Sequence, residues 1–180
     1  MTEYNCRIAT AKDVTGIFRV MKNVGYIAAF YGDKPEEAAV PLLLDTLFDS
    51  GKCITVVVCE IECVDGKDCF DGKRIIGYSI FGPYQAYKKA IFPDESENFA
   101  YSMGIGIHTD FQSKGLGALL KQAAENFARK QGYQGMYTDV ATTNKSSIGL
   151  QIKAGYERVA ELPDKSRPKG VNTILFRKRF

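Results

Sequence analysis

The sequence contains 180 residues, of which 45% are hydrophobic and 25% are charged, with a formal net charge of +3. This balance is typical of a soluble globular protein and excludes disorder along the whole chain. The length suits one domain, residues 1–180, whose core needs neither a metal nor disulfides. Basic and acidic side chains are interspersed, so we expect no nucleic-acid partner.

The first half of the sequence alternates strand and helix patterns. Thr10 is a good cap for a first helix, whereas Pro41 is awkward in a second one unless it marks a break. The β-branched run that follows, and the next apolar run, predict an antiparallel hairpin. The predicted elements are a strand at Cys6–Ala9, a helix from Ala11, a helix at Glu36–Phe48, and strands at Ile54–Ile61 and Arg74–Phe81.

The second half contains the clearest helix of the sequence. Apolar residues recur at helical spacing from Leu116 to Arg129, and Gly132 marks the end of this helix. Pro83–Asn98 has no clean period and is interpreted as an aromatic-rich loop or a short helix. The other predicted elements are strands at Phe99–Ile107, Gly135–Ala141, Tyr156–Val159 and Asn172–Arg177, and a helix at Lys145–Lys153. The resulting order, β-α-α-β-β-β-α-β-α-β-β, predicts an α/β (α+β) fold with one mixed sheet and helices on its faces.

The cysteines and the N-terminus indicate the cellular setting. Five cysteines without a CxxC pair and a single histidine do not make a zinc site, so we expect no metal and reduced thiols that pack as small hydrophobes. No apolar run reaches the ~20 residues of a membrane helix, and no leader pattern opens the sequence. We therefore expect a cytoplasmic protein that does not contact a membrane.

The segment with a chemical signature is the glycine-rich stretch between the strand Phe99–Ile107 and the helix that begins near Leu116. A helix N-terminus has unpaired N–H groups and a partial positive charge, and glycines let a diphosphate approach the backbone. Lys114 adds a positive charge beside Gly115 and Gly117. Neither the dinucleotide fingerprint nor the P-loop pattern fits these glycines.

Two motifs together resemble those of the GNAT superfamily of N-acetyltransferases. The first is Q-x-x-G-x-G at Gln112, Gly115 and Gly117. The second runs from Asn144, which opens a helix, to the pair Gly155-Tyr156 that ends it. The resemblance covers Phe99–Val159, and the arylalkylamine (dopamine-type) branch is a further similarity within this superfamily.

The resemblance implies acetyl-CoA as a co-substrate, bound in a cleft where the strand before the loop splays from its neighbour. Pantetheine would pair with strand backbone, and loop amides would hold the diphosphate. Asn144 would contact the pantetheine arm or the nearby helix turn, a role compatible with capping its helix. The implied cofactor-binding residues are Ile105, Gly106, Ile107, Gln112, Ser113, Lys114, Gly115, Leu116, Gly117 and Asn144.

The catalytic residues implied by the resemblance depart from the usual pattern. Many relatives have a tyrosine as the acid where this chain has Gln151. The arylalkylamine branch instead carries an early serine and a second hydroxyl, which correspond to Ser147 and Thr143. Its acidic base falls nearest to Glu36, and His108 is a second candidate for proton transfer.

The acceptor is interpreted as a small primary amine, whether an arylalkylamine, a polyamine or an amino-acid-like compound. Tyr84 and Tyr101 are candidates to line its pocket. A protein or peptide acceptor, and a non-catalytic sensor that only binds acyl-CoA, are the alternatives. The protein is expected to be a monomer or a homodimer.

Overall fold

The computed structural model describes residues 3–26, 34–63, 69, 71–84, 98–163 and 169–180. Its seven strands form one mixed sheet in the order β1-β2-β3-β4-β5-β7-β6. The strands are β1 (Asn5–Ile8), β2 (Thr55–Glu62), β3 (Lys73–Pro83), β4 (Phe99–Ile107), β5 (Gly135–Ala141), β6 (Glu157–Pro163) and β7 (Asn172–Arg179).

The described residues contain four α-helices, which occur between the strands in the order that the sequence predicts. They are α1 (Val14–Asn23), α2 (Glu36–Leu44), α3 (Leu116–Lys130) and α4 (Lys145–Lys153). The predicted second helix continues past Leu44 as a π-helical turn over Asp45–Asp49, and Pro41 lies inside α2. No helix of the described residues is both long and apolar enough to cross a membrane.

The pairing directions confirm a mixed, mostly antiparallel sheet. β4 and β5 run parallel, whereas β1 with β2, β5 with β7, and β6 with β7 are antiparallel. The β4–β5 ladder joins Phe99–Ser102 to Gly135–Thr138. Among the described residues of these two strands it has no further rung, as expected for a pair that splays.

The chain divides into two compact units. The first comprises Met1–Ile80 and Gly104–Ala124, and the second comprises Phe81–Met103 and Glu125–Phe180. The single domain expected from length stays a prediction.

In the first unit, α1 packs closely against β3. A Cβ on Gly16 of α1 would lie 2.8 Å from Cγ1 of Ile75, so glycine lets the helix approach the strand. Ile17, Phe18 and Met21 of the same helix are buried. Burial of these apolar side chains supplies the main favourable free energy in this unit.

A charged network joins β1, β2 and the start of α1 in the same unit. Arg7 donates to both oxygens of Asp13 and, through Nε, to Oε2 of Glu60 at 2.8 Å. Glu60 is 1% exposed and also accepts from Asn5 at 3.0 Å and Lys73 at 2.9 Å. This buried carboxylate is therefore fully engaged with donors.

The second unit has an aromatic core over β4, β5 and β7. Tyr84, Phe99, Tyr101, Tyr137 and Leu175 form one buried cluster. The Tyr84 and Tyr137 rings have centroids 4.6 Å apart, and Phe99 and Tyr137 are 5.0 Å apart. Most of the predicted Pro83–Asn98 loop lies outside the described residues.

The cysteines differ from the expectation of five reduced thiols. Cys63 and Cys69 are joined in a disulfide, whereas Cys6, Cys53 and Cys59 are free. Cys6 and Cys59 are partners across the β1–β2 ladder. Spacing alone did not indicate the pairing of Cys63 with Cys69.

Candidate active site

The glycine-rich loop is attached to the end of β4 by its own glutamine. Nε2 of Gln112 donates to the carbonyl of Ile107 at 2.9 Å. Thr109–Phe111 forms a short 3-10 turn before it, and Gln112 N–H donates to Thr109 O. The glutamine of the first motif therefore sets the path of the loop from strand to helix.

The loop presents a run of backbone donors at the start of α3. The carbonyl of Gly115 accepts from Ala118 and Leu119, so it opens the helix. Within the described part of the chain, the N–H groups of residues 113–117 have no hydrogen-bond acceptor. Residues 112–115 are exposed. Five successive donors at a helix N-terminus suit an anionic ligand.

Two loop residues have a left-handed backbone conformation, which orients the N–H groups of the loop. Ser113 has φ 61° and Gly115 has φ 79°. An added Cβ on Gly115 would meet no atom within 4 Å, so glycine is required for backbone conformation and not for space. The open space in front of Gly115 lets a ligand approach the main chain.

Two cationic side chains lie near the ring of Phe111, at the start of the loop. Lys114 Nζ lies 5.0 Å from the Phe111 ring centroid and donates to Asp110 O at 3.0 Å. Arg74 Cζ lies 5.7 Å from the same ring. The sequence predicted Arg74 only as a strand residue. Its position beside the loop was not predicted, because β3 and the loop are far apart in sequence.

His108 is engaged in the turn that precedes the loop. The backbone N–H of His108 donates to the carbonyl of Ile76 at 2.8 Å, and its ring Nδ1 accepts from the backbone N–H of Asp110 at 3.3 Å. Asn23, at the end of α1, binds Thr109 through two hydrogen bonds of 2.8 and 3.2 Å. These contacts support the loop, and proton transfer by His108 stays a prediction.

Glycines in β4 make room for two tyrosines in the same unit. A Cβ on Gly106 would lie 2.6 Å from Cε1 of Tyr78, and one on Gly104 would lie 3.3 Å from the hydroxyl of Tyr26. Tyr78 is fully buried, and burial, aided by nearby Tyr26, raises its pKa above the usual value. Gly106, in the predicted pantetheine strand Ile105–Ile107, therefore lies close against the ring of Tyr78.

The second motif forms the N-terminus of α4, in the second unit. Oδ1 of Asn144 accepts from Ser147 N at 3.0 Å, so Asn144 caps the helix. Ser147 is half-buried and Thr143 is exposed. Gln151 is 1% exposed, and its Oε1 has no partner among the described residues. The side chain at the usual tyrosine position is therefore a buried amide.

Glu36, the predicted base, lies at the start of α2. Its Oε1 is 3.3 Å from Nη2 of Arg19, in an ion pair that is largely exposed. The preceding residues of the segment that suggested it, Phe30–Asp33, lie outside the described residues. The role of Glu36 as base stays a prediction.

The two tyrosines predicted to line the acceptor pocket do lie together, in the second unit. Their ring centroids are 6.2 Å apart. The Tyr101 hydroxyl donates a hydrogen bond to Oδ1 of Asp139 on β5. Burial and nearby Tyr137 raise the pKa of Tyr84 to about 12. Sequence analysis did not predict this contact with Asp139, a carboxylate near the middle of a mostly buried strand.

The predicted cofactor residues thus fall into two groups. Residues 105–107 and 112–117 lie together in the first unit, and Asn144 lies at the start of α4 in the second. In the described part of the chain, no three or more His, Cys, Asp or Glu side chains cluster as metal ligands do.

Comparison with known proteins identifies the class to which this fold and loop belong. The model of the Acetyltransferase (GNAT) family matches residues 26–156, so the chain belongs to this family. The superfamily resemblance seen in the two motifs is thereby confirmed.

Individual relatives extend this assignment. An L-methionine sulfoximine/L-methionine sulfone acetyltransferase of Pseudomonas paraeruginosa is 30% identical over 90 residues, which are 50% of this chain and 48% of the relative. The chain thus spans about half the length of the curated relatives it matches.

Solved structures share the fold over almost the whole chain. A candidate GNAT acetyltransferase from Desulfovibrio desulfuricans has a TM-score of 0.69 at 17% identity, covering 98% of this chain and 99% of its own. The candidate acetyltransferase yncA of Salmonella typhimurium, solved with its cofactor acetyl-CoA, has a TM-score of 0.67 at 20% identity, covering 98% and 93%. These likenesses confirm the GNAT-like fold.

Proposed function

We propose that this protein transfers an acetyl group from acetyl-CoA to the primary amine of a small, amino-acid-like acceptor. The observation that carries the proposal is the run of five backbone N–H groups, residues 113–117, that have no acceptor in the described part of the chain. Family membership supplies the reaction class.

The loop fits the diphosphate of acetyl-CoA on three counts. Its N–H donors lie at a helix N-terminus and three of the five belong to exposed residues, Gly115 leaves the space in front of it open, and Lys114 and Arg74 add positive charge. Donors fixed by Gln112 and by the turn bind an anion without first being ordered. When bound, acetyl-CoA supplies the activated thioester.

The acceptor class is supported by a relative and not by geometry. The curated relatives act on L-methionine sulfoximine and L-methionine sulfone, which are amino-acid-like primary amines. A methionine derivative carries its amine beside a carboxylate. We extend this acceptor class to the present chain.

A proton must reach the leaving thiolate, and Ser147 is the proposed donor. It is half-buried in the first turn of α4, where its N–H is held by Asn144. Gln151 cannot act as an acid at neutral pH, so the tyrosine chemistry of many relatives is replaced in this chain. Relay of the proton through water is compatible with this placement.

Calorimetry tests the cofactor part of the proposal. Acetyl-CoA should bind to the purified chain, whereas S-acetylpantetheine, which lacks the diphosphate, should bind at least about tenfold more weakly because it leaves the loop amides unpaired. Equal affinity for the two compounds would show that the loop does not hold the diphosphate.

An acceptor panel tests the reaction. Release of free thiol from acetyl-CoA should be stimulated by L-methionine sulfone and L-methionine sulfoximine more than by phenylethylamine, spermidine or a peptide N-terminus. Preference for the peptide would move the acceptor class to proteins. Tight acetyl-CoA binding without amine-stimulated release would leave a sensor, and the enzymatic proposal would be abandoned.

A further inference from the structure

We infer that Cys6 and Cys59 form a dithiol site that a small organic disulfide oxidises to an intramolecular disulfide, which joins β1 covalently to β2 in the first unit. Such a site ties the stability of this unit to the thiol–disulfide balance of its surroundings. It lies outside the two sequence motifs, and it does not depend on the proposed acetyl transfer.

The register of the β1–β2 ladder places the two thiols directly opposite each other. Cys6 pairs with Cys59 in an antiparallel ladder. The backbone N–H of Ala9 donates to the carbonyl of Val56 at 2.8 Å, so in this register Ala9 and Val56 are a hydrogen-bonded pair. Because hydrogen-bonded and non-hydrogen-bonded pairs alternate along such a ladder, Cys6 and Cys59 form a non-hydrogen-bonded pair. The Cα atoms of such a pair are about 4.5 Å apart, within the range of about 4.4–6.8 Å that a disulfide spans.

Polar contacts hold this register on both sides of the cysteine pair. Asn5 Nδ2 donates to Oε1 of Glu60 at 3.0 Å, and Arg7 Nε donates to Oε2 of Glu60 at 2.8 Å. Asn5 and Arg7 flank Cys6 on β1, so their side chains lie on the opposite face of the sheet from the thiol. A slip of β1 by one residue would break both contacts, and a new S–S bond on the other face leaves them intact.

The two thiols already interact with each other. A hydrogen bond from the Cys59 thiol lowers the pKa of Cys6 below its usual value, although burial and the nearby Glu60 carboxylate act in the opposite direction. The same hydrogen bond, together with burial, raises the pKa of Cys59. Since the thiolate is the nucleophile in thiol–disulfide exchange, Cys6 is the attacking sulfur and Cys59 is the sulfur that closes the bond.

Access from solvent agrees with this division of roles. β1 is the terminal strand of the described sheet, and Cys6 is partly exposed. Cys59 lies one strand further in and is fully buried. A reagent in solution therefore meets Cys6 before it meets Cys59. The other three cysteines are an exposed thiol, Cys53, and the disulfide between Cys63 and Cys69.

The reaction with a small disulfide RSSR is balanced. The Cys6 thiolate attacks one sulfur of RSSR and forms a Cys6–S–SR bond, while the RS–SR bond breaks and RS⁻ leaves. The Cys59 sulfur, on losing its proton, attacks the Cys6 sulfur, and the bond to SR breaks as the new S–S bond forms. The two RS⁻ groups take up the two protons of the protein thiols. The protein loses two electrons, and RSSR is reduced to two RSH.

Oxidised glutathione is the probe, and mass spectrometry identifies the product. The reduced protein is incubated with oxidised glutathione, the remaining thiols are blocked by alkylation, and the protein is digested with trypsin. The peptide Met1–Arg7 should be linked through Cys6 to the peptide that contains Cys59, and dithiothreitol should separate them. This second peptide also contains Cys53 and Cys63, so variants are needed to assign the bond.

Four variants assign the bond to Cys59. Cys53→Ser is the matched control, because it removes an exposed thiol, and it should still form the link. Cys63→Ser should form it too. Cys59→Ala, which removes the buried thiol and keeps an apolar side chain, should leave Cys6 as a mixed disulfide with glutathione. Cys6→Ser should show no link between the two peptides.

The bond should also stabilise the first unit. The disulfide encloses the segment from Cys6 to Cys59, which contains α1 and α2, and it restricts the unfolded chain. Oxidation should raise the Tm of wild type by roughly 5–15 °C more than it raises the Tm of Cys6→Ser. The comparison with Cys6→Ser removes any contribution from the other cysteines.

Each outcome decides the matter. A link that persists in Cys53→Ser and Cys63→Ser and is lost in Cys59→Ala and Cys6→Ser supports the inference. The inference is overturned if wild type does not react or stops at the glutathione adduct of Cys6, if the link is lost in Cys53→Ser or Cys63→Ser, or if the link lowers Tm. If Cys59→Ala does not fold, the double variant Cys53→Ser/Cys63→Ser decides, because Cys59 is then the one cysteine left in the linked peptide.

Discussion

Replacing Gly106 by alanine tests whether β4 is pressed against Tyr78. The new Cβ would lie 2.6, 2.9 and 3.0 Å from Cε1, Cζ and the hydroxyl of that ring. Ordinary contacts begin near 3.4 Å, so the strand or the ring must move by about 0.8 Å. Tyr78 is fully buried and cannot swing into solvent. We expect a loss of about 1–3 kcal/mol in the free energy of unfolding, the usual cost of overpacking.

The matched control is the same substitution at Gly149, in the interior of α4. A Cβ there meets no atom within 4 Å, and its φ is not left-handed. Gly149→Ala should therefore stabilise the protein by about 0.5–1 kcal/mol through helix propensity. Urea unfolding measures both variants, and each kcal/mol corresponds to roughly 2–4 °C in Tm. A Gly106→Ala variant as stable as wild type would refute the close approach of strand and ring.

Two further predictions concern the loop and the buried carboxylate. Gly115→Ala places an alanine at φ 79°, which should cost about 1–2 kcal/mol. The cost should be divided between the free energy of unfolding, measured by urea titration, and the affinity for acetyl-CoA, measured by calorimetry. No change in either quantity would contradict the loop geometry. Glu60→Gln should cost about 1–3 kcal/mol at pH 7, because the partly exposed Arg7 and Lys73 lose a charged hydrogen-bond partner. Burial raises the pKa of Glu60, but hydrogen bonds from Lys73 and Asn5 and the charge of Arg7 hold it below its usual value. The stabilisation by ionised Glu60 is present above the pKa that Glu60 has in the unfolded chain and disappears as the pH falls through its pKa in the folded chain. The difference in unfolding free energy between Glu60→Gln and wild type should therefore shrink below about pH 4. A difference independent of pH, in urea unfolding at pH 7 and pH 3, would contradict it.

The order of elements and the loop motif were predictable from sequence because both are local. Apolar residues at helical spacing identified α3, and β-branched runs identified β2. The elements follow the predicted order, with shifts of a few residues at their ends. Gln112 and Gly115 were found by motif because the strand, loop and helix that they join are contiguous in the chain.

The tertiary structure determined the contacts between residues that are far apart in sequence. Asn23 supports Thr109 across 86 residues, and Tyr101 holds Asp139 across 38. Periodicity reports which side of an element is apolar, but not which element will cover it. The loop proposed to hold the diphosphate was therefore identifiable from the sequence alone, whereas the contact between Tyr101 and Asp139 became visible only in the folded chain, where β4 and β5 pair in register.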